Sequence, residues 1–135
     1  MTLVVDASVV VASLVDDGTV GRWARAEMVG EDLAAPHLMP FEAANVLRRS
    51  VLRGDISDDV GRLAHADLLD LPVTLVDFAT VAPRVWELRG AVSSCDGAYV
   101  ALAEVSSAPV LTLDLRLARS PGPRCSFRTP GDLRG

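Results

Sequence analysis

The chain has no lysine, and each of its 13 basic residues is an arginine. Aromatic residues make up only 4% of it, and the formal charge is −5 at pH 7. That balance excludes a generally basic nucleic-acid binder. A polyanionic ligand would have to be held by local arginine patches and by metal, not by a global field. Two cysteines, Cys95 and Cys125, are too few for a disulfide framework, so both are expected as reduced, structural thiols. No apolar run approaches the ~20 residues of a membrane span. A secretory leader is not expected, because the first residues carry no basic segment and Asp6 interrupts the first apolar run. These absences point to a cytoplasmic protein without membrane contact.

What is present is 135 residues, half of them apolar, enough for a single domain over 1–135 with a real core. Strand and helix signals alternate. Residues 3–6 read as a buried strand, 8–15 as a short helix, and Gly18 and Thr19 restart a helix through Trp23, Ala26 and Met28. A brief strand over 33–35 ends at Pro36. Pro40 suits the first turn of a helix carrying Phe41, Ala44, Val46, Leu47 and Val51, which stops at Gly54. Ser57 caps the next helix, with Leu63, Ala66 and Leu69 on one face. Residues 71–76 give a third strand, and Pro83 belongs in the first turn of the helix after it. A helix from Asp96, a strand at 110–113 and a helical turn around Leu117 follow, with an edge strand near 125–127 in a tail rich in Pro, Gly and Arg. The expected fold is α/β, a mainly parallel sheet of about four to five strands with helices on both faces.

Four acids stand out against apolar surroundings: Asp6, Glu42, Asp96 and Asp114. Asp6 and Asp114 close strands, and sheets of this class bind ligands at the carboxyl ends of their strands. Burying unpaired carboxylates costs several kcal/mol, roughly, and a shared divalent metal is the simplest compensation. Simpler roles are open. Asp96 and Asp114 read equally as helix N-caps, and Glu42 as a first-turn acid facing the helix dipole. Asp6 follows a buried strand where no cap is called for, so it is read as functional. Arg49, two turns after Glu42 on the same face, is either a solvated ion-pairing residue or an RNA-phosphate contact. His37 and His65 read as ordinary packing or surface residues, and Trp23 and Trp86 as core or interface.

Four strings occur in order: Val4-Val5-Asp6-Ala7-Ser8, Pro40-Phe41-Glu42-Ala43-Ala44-Asn45-Val46-Leu47, Asp96-Gly97-Ala98-Tyr99-Val100-Ala101-Leu102-Ala103, and Leu111-Thr112-Leu113-Asp114. Their order, spacing and the domain length resemble PIN-domain proteins over essentially the whole chain, in particular the VapC-type toxins of bacterial toxin–antitoxin pairs. The resemblance implies a PIN-like fold and a metal-dependent endoribonuclease in which Asp6, Glu42, Asp96 and Asp114 are the catalytic acids. Asp6 and Asp96 would hold Mg2+ or Mn2+, with Ser8, Asn45 and Thr112 as supporting residues. Cleavage would leave a 5′-phosphate and a 3′-hydroxyl. Many relatives carry a further acid shortly after the position of Asp114. Here Leu115, Arg116, Leu117, Ala118 and Arg119 follow, which leaves the number of ions, one or two, open and makes Arg116 or Arg119 a candidate RNA contact. The resemblance also implies a homodimer and a cognate VapB-type antitoxin that presents a basic residue to the acidic site. The alternatives are a catalytically silent PIN-like module that binds protein or RNA in the same groove and, behind it, a DNA-directed nuclease.

Overall fold

Leu3, Val4 and Val5 are each 0% exposed. Successive strand residues point to opposite sides, so the strand they form must be covered on both faces. That strand, β1 (Thr2–Val5), is the middle of a five-stranded sheet in the computed structural model. The structure describes residues 1–131. Residues 132–135, the end of the domain expected over 1–135, lie outside the described residues.

In chain order β1 is followed by α1 (Ala7–Val15), α2 (Thr19–Met28), β2 (Asp32–Pro36), α3 (Met39–Leu52) and α4 (Asp58–Asp70). Then come β3 (Val73–Val76), α5 (Phe78–Glu87), α6 (Ser94–Ser106), β4 (Val110–Leu111), α7 (Leu115–Ala118) and β5 (Phe127–Arg128). The strands lie in the order β3-β2-β1-β4-β5, and every pairing is parallel. The chain therefore winds outward from β1 to β3 on one side, then crosses back to lay β4 and β5 on the other. The gap between β1 and β4 is the switch point, where a sheet of this class opens a crevice beyond its carboxyl ends. Helix α6 lies across β1, β2 and β4 with α5 packed on it, while α1 packs against α2, α3 and α4. Residues Gly97 to Ala103 of α6 are all buried, a continuous stretch of about two turns.

Local sequence explains most boundaries and several departures from expectation. Gly21 must be glycine, since a Cβ there would lie 1.9 Å from the Asp16 carbonyl oxygen, where α2 folds back against the end of α1. Helix α5 starts earlier than its proline suggests. The Asp77 carboxylate accepts from the Thr80 N–H (3.1 Å) and caps the helix at Phe78, so Pro83 lies inside it rather than in its first turn. Helix α4 is rotated from the expected face. Gly61, Ala64 and Leu68 are buried, while Leu63 and Leu69 are 66% and 78% exposed. Small residues win there because α3 comes close: a Cβ on Gly61 would meet a Val51 methyl at 2.5 Å. Ser57 caps α4 as expected, accepting from the Val60 N–H.

Trp23 packs against the core, but Trp86 is exposed with the Arg89 guanidinium 4.5 Å above its ring, a cation–π pair rather than core. Val10 and Val11 are core. His37 and His65 are exposed. Both cysteines are free thiols. Burial and the nearby Glu104 carboxylate push the Cys125 thiol up to about 11, which keeps it protonated and unreactive. Among the described residues no helix is long and apolar enough to cross a membrane.

Candidate active site

Asp6 emerges from β1 at the switch point and is only 8% exposed. Contrary to the sequence reading, it does cap a helix. Its Oδ1 accepts from the Val9 N–H at 3.1 Å and starts α1. The same oxygen accepts from the Ser8 hydroxyl at 2.5 Å, and Oδ2 accepts from the fully buried Thr112 hydroxyl. Each hydroxyl then ties this carboxylate to the segment after β4: Ser8 Oγ accepts from the Leu113 N–H (3.2 Å) and Thr112 Oγ1 from the Asp114 N–H (2.9 Å). Three donors would ordinarily lower the pKa of a carboxylate. Burial outweighs them, and the Asp6 carboxyl sits above its usual range.

Asp114 is the N-cap of α7, with Oδ1 accepting from the Arg116 and Leu117 N–H groups at 3.0 and 3.1 Å. Asp96 is not a cap. Ser93 caps α6 and accepts from the Asp96 N–H at 3.1 Å, leaving Asp96 in the first turn with its carboxylate unused for capping. Glu42 is in the first turn of α3, and its Oε1 accepts from the Tyr99 hydroxyl at 2.6 Å.

These residues line one cleft of ≈ 310 Å³, formed by Asp6, Ala7, Ser8, Glu42, Asn45, Val46, Arg49, Asp96, Tyr99 and Asp114. Four acids from separate parts of the chain thus share one wall-to-wall space. Among the described residues none of the four is ion-paired. Burial raises Glu42, with the Asp96 and Asp6 charges adding to it. Burial and then the Asp114 charge raise Asp96. Like charges held close without a cation between them are a standing electrostatic cost.

The donor chemistry suits a hard divalent ion, which takes oxygen ligands and, for Mg2+, uses one or two carboxylates while keeping waters. Among the described residues no three His, Cys, Asp or Glu side chains form a ready-made cage. An open rim of carboxylates fits such a partly hydrated ion better than a closed all-protein site.

The structure brings all four acids, Ser8, Asn45 and Arg49 to the cleft, and places Thr112 directly behind Asp6. Asn45 and Arg49 are both exposed at its edge. Arg116 is exposed on α7, outside the lining, though its charge lowers Asp96 slightly. Tyr99 is the lining residue that the sequence reading left without a role. Its signal was visible, since it lies three positions after Asp96 and so on the same helical face.

Residues 3–122 match the PIN domain family. A VapC ribonuclease of Mycobacterium bovis is 37% identical over 123 residues, 91% of this chain and 94% of that protein. PAE2754 from Pyrobaculum aerophilum superposes with a TM-score of 0.70 at 21% identity, covering 98% of this chain and 87% of that one. VapBC2 from Rickettsia felis, solved bound to a DNA fragment from their promoter, gives 0.68 at 13% identity, covering 96% and 98%.

Proposed function

The chain belongs to the PIN domain family, and from that premise we propose that it is a metal-dependent endoribonuclease, the toxin of a type II toxin–antitoxin pair. The observation that carries this reading is the convergence of Asp6, Glu42, Asp96 and Asp114 in one cleft at the switch point, none of them ion-paired among the described residues. A silent binding module has no use for four like charges kept together at that cost.

In this reading Asp6 and Asp96 hold Mg2+ or Mn2+. When bound, the ion supplies Lewis-acid chemistry, making water a stronger nucleophile and neutralising charge on the departing oxygen. Glu42, which lines the same cleft, would take the proton from the attacking water. Asp114 would orient that water from the adjacent strand end. Ser8 and Thr112 hold Asp6 in place through the hydrogen bonds described above. Arg49, the cationic side chain in the lining, takes an RNA phosphate, and Arg116 meets the backbone farther along. Phosphate contacts of this kind position RNA without reading its bases. The net charge of −5 means that these local arginines, not the whole surface, bring the RNA in.

The relative's name, a VapC ribonuclease, supports the nuclease reading, and the VapBC2 assembly supports a VapB-type antitoxin as partner. A basic residue of that antitoxin, set among the four acids, would block the site by pairing the charges that an ion otherwise compensates. A homodimer is the expected assembly. The test is incubation of a mixed RNA pool with purified protein in Mg2+ or Mn2+ and in EDTA. Cutting that needs the ion and leaves 5′-phosphate ends is the expected result. Cutting that persists in EDTA would refute the mechanism.

A further inference from the structure

Tyr99 is the only tyrosine of the chain, and the reaction as described gives it no task. It is 2% exposed, yet its hydroxyl is aimed at the cleft and donates to Glu42 Oε1 at 2.6 Å, joining α6 to α3 across 57 positions of sequence. If packing alone were needed, phenylalanine would fill the same volume without desolvating a hydroxyl. Burial, the bond to Glu42 and the Glu42 and Asp6 charges all push the phenol far up, so it stays a donor at every working pH. Glu42 is half-buried in α3, and no other side chain among the described residues donates to its carboxylate.

We propose that Tyr99 is a positioning residue whose hydroxyl fixes the Glu42 carboxylate through Oε1 and leaves Oε2 for the cleft. This assignment rests on the nuclease reading and goes beyond it by giving the base a defined orientation. An untethered glutamate samples several rotamers, and only a fraction of them serve the reaction. The neighbouring Asp96 and Asp6 charges would also drive a free Glu42 carboxylate away from the cleft, where its charge helps to hold a cation. The tether therefore acts on ion affinity as well as on turnover.

The experiment compares wild type with Tyr99→Phe in three readouts: Mn2+ affinity by calorimetric titration, kcat and KM on RNA, and unfolding temperature in EDTA. Loss of such an outer partner lowers affinity or rate by about 10–100-fold. The expected result is a loss near the lower end of that range in Mn2+ affinity and in kcat, with KM and unfolding temperature close to wild type. In a Glu42→Gln background, adding Tyr99→Phe should change Mn2+ affinity no further, because the two act as a unit. Wild-type affinity and kcat in a folded Tyr99→Phe protein would overturn the assignment, as would equal losses in both backgrounds. A Tyr99→Phe protein that no longer folds would also overturn it, by showing that the hydroxyl holds the fold. Wild-type protein that neither binds Mn2+ nor cuts RNA would overturn the nuclease reading itself, an outcome distinct from all of these.

Discussion

Asp6 and Asp96 carry the same charge into the same cleft but stand in different surroundings, and substitutions separate them. Asp96 is half-buried in the first turn of α6, with Asp114 close by and no capping duty. Replacing it with Asn removes a charge that burial and Asp114 oppose, without orphaning a donor. In EDTA at neutral pH, Asp96→Asn should unfold a few degrees higher than wild type. The sign follows from linkage. Asp6, Glu42 and Asp96 all titrate higher in the fold than in the unfolded chain. Their contribution to stability is therefore fully present below the unfolded value of about 4 and is lost as pH rises through the raised folded values. Glu104, held low by Arg84 despite its burial, acts in the opposite sense but below that window. The metal-free protein should thus lose stability as pH rises from about 4 toward neutrality, and the advantage of Asp96→Asn should shrink toward the acid end. Thermal melts across that range check both statements. Thr112→Val should go the other way, costing about 1–3 kcal/mol by leaving Asp6 short of a donor and the Asp114 N–H without its acceptor. Urea unfolding would show a lower midpoint; an unchanged one would mean that the Asp6–Thr112 contact holds nothing together.

The helices show how far sequence goes and where it stops. The Ser57 cap and the acids at strand ends were legible because caps and strand ends act locally. The rotation of α4 was not. Leu63, Ala66 and Leu69 repeat as regularly as Gly61, Ala64 and Leu68, and what decides between the two faces is the close approach of α3 at Val51. That contact belongs to the packed pair and is written in neither helix alone. The start of α5 was missed for a related reason, since Pro83 is a conspicuous signal and the Asp77 cap a quieter one. The role of Asp6 was half-read: its place at the site was legible, its cap was not, because one side chain serves both. The α4 assignment makes a direct prediction. Leu68→Ala should cost about 2 kcal/mol or more, whereas Leu69→Ala should stay within about 0.5 kcal/mol of wild type. Equal losses in the two variants, measured by urea unfolding, would place α4 the other way round.

The winding order of the whole sheet is what gathers the four acids. Because β1 and β4 are neighbours although more than a hundred residues apart, Asp6 and Asp114 leave adjacent strand ends, and α3 and α6 add Glu42 and Asp96 over the same opening. Under the proposed function, a chain of net charge −5 would need a divalent ion both to relieve that cluster and to receive a polyanion. Mn2+ should accordingly raise the unfolding temperature of wild type, since a ligand bound only by the folded state stabilises it, and should raise that of Asp96→Asn far less. Thermal melts with and without Mn2+ check this. Arg49→Ala should raise KM for RNA and flatten its salt dependence while leaving the unfolding temperature alone, because the side chain is exposed. The most direct single test of the carboxylate centre is the rate at which Asp96→Asn cuts RNA in Mn2+, set beside wild type on the same substrate. A fall of more than about 100-fold, beyond what loss of an outer partner produces, is the expected result in a protein that remains folded. Cleavage near the wild-type rate by folded Asp96→Asn would contradict the role assigned to the cleft.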